Sequence, residues 1–169
     1  MFRGTQPTTV DDKSRIVIPA RMREEARHIE GIESPVNFIM TVGVEDCIAI
    51  YTPSRWREVE AWVAAVPERT ERARRYRRLF FSHAAPGDCD NQGRMRIPGD
   101  LLEAVGITRD AIVTGAGDHI ELWDTARWAA YRGKMLSERV QDFEACLEAG
   151  AAPTIGGGET KNGAQDVGF

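Results

Sequence analysis

No apolar run in this 169-residue chain approaches the roughly 18–20 residues that a membrane-spanning helix needs. The opening residues, Met1-Phe2-Arg3-Gly4-Thr5, also lack the apolar stretch of a secretion signal, so export is not expected. Cysteine is scarce: Cys47, Cys89 and Cys146 are an odd number, lie far apart and form no C-x-x-C pair. Neither a disulfide framework nor a zinc cluster is expected from them, and a reducing cytoplasm suits them. Positive charge is not in excess either, since 22 Lys+Arg stand against 26 Asp+Glu for a net charge of −4. An acidic total argues mildly against a nucleic-acid partner, but it says nothing of where charge sits.

Charge is unevenly placed. Residues 1–30 carry a net +1 and residues 61–82 a net +4, while residues 31–60, 83–120 and 121–169 carry −3 each. With 42% apolar and 28% charged residues, the chain has the composition of a globular protein able to bury a core, as one ordinary domain or two small ones.

The chain repeats itself. Asp11-Asp12-Lys13-Ser14-Arg15-Ile16-Val17-Ile18-Pro19-Ala20 returns 79 residues later as Asp90-Asn91-Gln92-Gly93-Arg94-Met95-Arg96-Ile97-Pro98-Gly99. A second block, Ile48 to Trp56, returns as Ile120 to Trp128 at an offset of 72, so copy one holds seven extra residues between its blocks. Their expected place is His28–Asn37, where Gly31, Ser34 and Pro35 read as loop. Two blocks recurring in the same order mark a duplication.

Each copy opens on a strand, with Ile16 and Ile18, or Met95 and Ile97, facing the core. Arg15 and Val17 face the other way, as do Arg94 and Arg96. Pro19 and Pro98 end these strands and start short helices over about 20–27 and 99–105. Strands are then expected at Asn37–Val42 and Cys47–Tyr51, with counterparts at Ala111–Thr114 and His119–Trp123. A helix over 54–66 is apolar at Trp56, Val59, Val63 and Val66, and another over 125–149 carries Trp128, Tyr131, Met135, Val140, Phe143 and Leu147 down one side. Glu68–Phe81 reads as a connecting helix whose Arg72, Arg74, Arg75, Arg77 and Arg78 are solvated and pair in part with Glu68 and Glu71. The implied organisation is a first unit over 1–66, a basic linker helix over 67–82, a second unit over 83–149, and a Gly-rich tail over 150–169 expected to be disordered.

Several blocks carry a likeness to a known family: Met1-Phe2-Arg3-Gly4, Asp11 through Ala20, Phe80-Phe81-Ser82, Asp90 through Pro98, and Gly117-Asp118-His119-Ile120-Glu121-Leu122-Trp123. In these the chain resembles the MraZ transcriptional regulators, bacterial proteins with two SpoVT-AbrB-like units in one chain, over about residues 1–148. The resemblance implies a β-rich α+β fold in which the two units interleave as a pseudo-dimer around a swapped-hairpin barrel, with flanking helices. It implies a homo-oligomeric ring and binding to double-stranded DNA carrying short repeats upstream of the division and cell-wall gene cluster. Its own gene would be among the targets, with repression by promoter occupancy and a cytoplasmic, nucleoid-associated location. It implies no cofactor. Copy one departs from the family pattern with Ser14 where glycine is usual and in its insertion, and the Gly-rich tail is atypical as well.

The resemblance places DNA reading on Arg15, with Lys13 and Arg3 as phosphate partners; arginine's planar fork suits both guanine edges and phosphate oxygens. The plain alternative is an Arg15–Asp11 surface pair that stiffens the loop. By symmetry Arg94 and Arg96 form a second DNA-facing edge or a contact between chains. Asp11, Asp90, Ser14 and Gly93 are read as structural loop residues. No catalytic set emerges: His119 aligns with Cys47 across the duplication, Cys89-Asp90 and His83 have no ordering, and Gly115-Ala116-Gly117 lacks the Lys-Ser/Thr of a phosphate loop. No spacing suggests a metal. The rival readings are a non-enzymatic interaction scaffold and an antitoxin-like DNA binder of the same fold.

Overall fold

Two features of each copy set the local path of the chain: a proline that starts a helix and a glycine that stops it. In the computed structural model, which describes residues 1–149, Pro19 and Pro98 are the N-caps of α1 (Ala20–Glu30) and α4 (Gly99–Val105). Gly31 and Gly106 end these helices in the left-handed conformation, at φ 66° and 72°. The 11-residue α1 is four residues longer than the seven-residue α4, so part of the insertion expected as loop extends a helix instead.

The remaining elements are β1 (Thr5–Thr9), β2 (Arg15–Val17), β3 (Asn37–Val42), β4 (Cys47–Tyr51), α2 (Pro53–Ala65), α3 (Glu71–Ser82), β5 (Ala85–Asp88), β6 (Arg94–Arg96), β7 (Asp110–Gly115), β8 (Ile120–Asp124) and α5 (Thr125–Glu148). The connecting helix starts three residues later than expected because the Thr70 hydroxyl accepts the Ala73 N–H at 3.1 Å and fixes the N-terminus there. Asp124 caps α5 in the same way, accepting from the N–H groups of Ala126 and Arg127.

The two copies exchange strands. β1 of copy one pairs antiparallel with β7 of copy two, from Thr5↔Thr114 to Thr9↔Asp110. β5 of copy two pairs with β3 of copy one, from Asn37↔Asp88 to Met40↔Ala85. β4 and β8 meet at the centre, giving a six-stranded sheet in the order β1-β7-β8-β4-β3-β5. β2 and β6 form a separate two-stranded ribbon. At its middle Ile16 faces Met95, and these two residues are equivalent under the 79-residue offset. The fold is therefore α+β with antiparallel sheets and helices around them. The closed barrel implied by the resemblance is not seen: β1 and β5 end the sheet without pairing to each other.

Exchange makes one core from two copies. Phe2, Ile16, Ile18, Phe38, Met40, Ile48 and Ile50 from the first pack with Met95, Ile97, Leu101, Val113, Ile120 and Leu122 from the second. A smaller cluster of Trp56, Val63 and Phe80 joins α2 and α3 to the sheet, with the Trp56 and Phe80 rings stacked at 5.1 Å. Arg77–Glu68 at 2.8 Å and Arg75–Glu71 at 3.9 Å are the surface pairs expected of the basic helix.

Met1–Tyr131 forms one compact unit, and a second begins at Arg132, within α5. No residue of α5 is buried. The expected apolar side is corrected accordingly: Trp128, Tyr131 and Met135 are partly buried, whereas Leu136, Val140, Phe143 and Leu147 form an exposed stripe. The step of five residues from Met135 to Val140 turns the helix about 140° away, so a row drawn through all of the expected residues mixes two faces. The tail expected to be disordered, residues 150–169, lies outside the described residues.

Candidate nucleic-acid interface

Both repeated loops are built around an aspartate. Asp11 Oδ1 accepts the backbone N–H groups of Lys13 and Arg15 at 2.9 and 2.8 Å, and its Oδ2 accepts from Arg15 Nε at 2.8 Å. Arg15 Nη2 lies 2.8 Å from the same oxygen. In copy two, Asp90 Oδ1 accepts from Gln92 and Arg94 N–H at 2.9 Å, and Arg94 Nε donates to Asp90 Oδ2 at 2.8 Å. The loops close identically through backbone bonds, Asp11 N–H to Arg15 O and Asp90 N–H to Arg94 O, each 2.9 Å. The Arg15 side chain's hydrogen bond, followed by its backbone N–H, lowers the Asp11 pKa below 3.8. At Asp90 the backbone N–H of Arg94 comes first and its side chain second. The expected Asp–Arg pairing is present in both copies, and both carboxylates stay ionised at neutral pH.

Such a turn needs a left-handed residue before the arginine. Ser14 has φ 57° and Gly93 φ 82°. A Cβ at Gly93 would also lie 2.5 Å from Arg23 Nε, because Arg23 crosses over this loop while donating to the Ile18 carbonyl at 3.1 Å. The residue equivalent to Arg23 in copy two is Leu102, so the guanidinium cover over a loop exists only on the Gly93 side. This asymmetry gives serine a place in one copy and not in the other. Gly93→Ala is expected to lower stability by about 1–2 kcal/mol, the left-handed penalty with Arg23 displaced. Ser14→Gly is expected to change stability by less than about 1 kcal/mol. Thermal unfolding of the two variants checks the contrast.

The loops deliver their arginines to one ribbon. Ile16 and Met95 point into the core, leaving Arg15, Val17, Arg94 and Arg96 on the outer face. Arg15 lies opposite Arg96, and Val17 opposite Arg94. Each loop also braces the other strand, with Ile97 N–H donating to Ser14 O at 2.8 Å and Ile18 N–H to Gly93 O at 2.9 Å. Lys13, Ser14, Arg15 and Arg96, with Asp12, line a shallow open recess on this side. Two arginines, Arg15 and Arg96, thus stand directly opposite each other on the ribbon, with the Arg15 charge held by Asp11.

Arg3 sits elsewhere. It lines a recess with Met1, Phe2, Arg21, Met22 and Glu25, at the start of β1, while the Asp11 loop follows the end of that strand. Five extended residues separate the two ends by roughly 16 Å, so Arg3 does not join the Arg15 cluster. Sequence reading missed Arg23 and Arg27. They project from α1 and line a recess together with Cys89, Asp90 and Asn91 of the copy-two loop. Their i,i+4 spacing was the available signal, but nothing in sequence shows which loop α1 crosses.

Among the described residues, one set of metal-type side chains, Glu45, Cys47 and Glu121, comes within 4.8 Å of one another. Its carboxylates have protein partners: Glu121 accepts from Trp123 Nε1 at 2.9 Å, and Tyr131 donates to Glu45 at 3.3 Å. Burial, reinforced by Glu121 and Glu45, pushes the Cys47 thiol far up and keeps it protonated. Burial also acts to lower the His119 pKa, but Glu121 and Asp118 outweigh it and raise the value above 6.5.

Comparison with known proteins gives a consistent result. The family model described as "MraZ protein, putative antitoxin-like" matches twice, over residues 1–79 and 80–147. A protein of Moorella thermoacetica named "Transcriptional regulator MraZ" is 34% identical over 150 residues, covering 85% of this chain and 99% of its own length. Proteins of the same name from Syntrophomonas wolfei and Frankia alni are 35% and 36% identical, covering 89% and 78% of this chain and 99% and 86% of their own.

Proposed function

From a chain that belongs to the MraZ family and presents three arginines on one exposed ribbon, we propose a transcriptional regulator that binds double-stranded DNA through β2 and β6. The observation that carries this reading is the ribbon's outer face, where Arg15, Arg94 and Arg96 share one side and Lys13 flanks them. A two-stranded ribbon fits the major groove, where an arginine fork pairs with guanine O6 and N7. The near two-fold symmetry of the ribbon would present Arg15 and Arg94 as equivalent readers. Val17 breaks it by standing where copy two has Arg96.

In this reading the targets are short repeats upstream of the division and cell-wall gene cluster and of the protein's own gene, and promoter occupancy gives repression. Several chains in a ring would each place one ribbon on a repeat, so modest individual contacts combine through avidity. The protein would act in the cytoplasm, on the nucleoid, without a cofactor or a catalytic step.

The test is anisotropy titration of DNA from upstream of the gene, with scrambled DNA as competitor, at several salt concentrations. Log affinity is expected to fall linearly with log salt, with slope about −0.9 per neutralised phosphate. Lys13→Ala is expected to weaken all sequences alike and to reduce that slope by about one. Binding that is absent, or indifferent to salt, would favour the scaffold reading instead.

A further inference from the structure

The stripe on α5 has no place in the core. Leu136, Val140, Phe143 and Leu147 are 49%, 59%, 63% and 45% exposed, and they are the large exposed apolar residues of this helix. Their spacings of four, three and four are those of a heptad seam, with Leu136 and Phe143 at d and Val140 and Leu147 at a. A β-branched residue at the first a position suits two strands.

The flanks say which way a partner helix must run. Arg139 falls at g, beside Val140, and Glu144 falls at e, beside Phe143. Arg139 Nη1 donates to the Leu136 carbonyl, and among the described residues neither Arg139 nor Glu144 has an ion-pair partner. In a parallel pair the g residue of one helix meets the e residue five positions on in the other, which brings Arg139 to Glu144 of the second copy twice. An antiparallel pair would not bring them together. Lys134 and Glu138 pair with each other at 4.0 Å and fall at b and f, away from the seam.

We propose that residues 136–147 of α5 form a parallel two-stranded coiled coil with the same segment of a second copy of this chain. The contact is isologous and closes on itself, so it joins chains in twos, unlike the head-to-tail contacts that build a ring. This segment, about 18 Å of helix, is too short to associate by itself. The seam therefore works in the full chain, and the experiment uses the full chain. It is independent of the DNA reading, and its readout needs no DNA.

In a Cys146→Ser background, Leu147→Cys and Leu136→Cys are made separately and oxidised; the remaining thiols, Cys47 and Cys89, are buried. Each variant is expected to form a disulfide-linked dimer, since equivalent a or d positions face each other in a parallel pair. Arg139→Glu is expected to cut the yield several-fold, and the exchange Arg139→Glu with Glu144→Arg to restore it. Phe143→Glu, with helix content unchanged by circular dichroism, is expected to lower particle mass in light scattering about twofold. Cross-linking only between Leu136→Cys and Leu147→Cys chains would show an antiparallel pair and overturn the proposal. Failure of both variants to cross-link, or a yield indifferent to Arg139→Glu, would overturn it as well.

Discussion

Gly115→Ala is expected to destabilise the protein by about 3 kcal/mol, although it adds one methyl group at a position with ordinary φ. A Cβ there would stand 2.4 Å from both Arg3 N and Phe2 C and 2.7 Å from Phe2 O. All three are backbone atoms, so no side chain can swing aside. Relief requires the segment 2–4 to move off β7. That would break Phe2 N–H to Gly117 O at 2.7 Å, Gly117 N–H to Phe2 O at 3.1 Å and Gly115 N–H to Gly4 O at 2.9 Å. It would also lift Phe2, 1% exposed, out of the shared core. Overpacking alone costs about 1–3 kcal/mol, and losing a buried phenylalanine costs about 3–5 kcal/mol. The cheaper route sets the result, near the top of the first range. For a domain of this size that is a fall in Tm of roughly 6–12 °C. Gly133→Ala is the control with opposite sign: nothing lies within 4 Å of its Cβ, and it sits inside α5. Exchanging a helical glycine for alanine stabilises by up to about 1 kcal/mol. Thermal unfolding separates the two directly.

The repeat was legible because its blocks carry their own physics. Asp11 and Asp90 cap the loops, Arg15 and Arg94 answer them, and Pro19 and Pro98 start helices; each role demands a residue type at a fixed spacing. The hairpin β3–β4 was legible to the residue because short apolar runs, Phe38-Ile39-Met40 and Cys47-Ile48-Ala49-Ile50, flank the turn Gly43-Val44-Glu45-Asp46. β1 and β5 were not foreseen. Both hold a proline, Pro7 and Pro86, and β5 also holds Gly87, which mark a strand only when its edge is free. Those two strands make the exchange, so the shared core could be inferred only from resemblance. The cover of Gly93 by Arg23 was invisible for the same reason: it depends on which helix crosses which loop. On α5 the periodic residues were legible, but their direction was not, because a helix with no buried residue gives no internal reference for a core face.

Arg15→Ala is expected to reduce affinity for the repeat DNA by about 10- to 100-fold, the equivalent of roughly 1–3 kcal/mol for one bidentate base contact. The geometry explains why one side chain can matter this much. Asp11 holds Arg15 by Nε and Nη2, both 2.8 Å from one carboxylate oxygen, while its other oxygen holds the loop backbone. The outer edge of the guanidinium, with Nη1, remains available. An unrestrained arginine loses up to about 2 kcal/mol of side-chain entropy on being fixed, and much of that ordering is already present in the free protein. Arg15→Lys retains the charge but not the fork, so it should preserve the salt slope while losing preference for the repeat over scrambled DNA. Asp11→Ala leaves the guanidinium chemically intact but unheld, and should fall between wild type and Arg15→Ala. Arg94→Ala should resemble Arg15→Ala if the ribbon's symmetry is read by two half-elements, and should be near neutral if only the copy-one edge enters the groove. Competition binding with repeat and scrambled DNA distinguishes these outcomes. An Arg15→Ala protein that still prefers the repeat as strongly as wild type would remove base reading from this residue. The Asp11–Arg15 pair would then be a brace for the turn and nothing more.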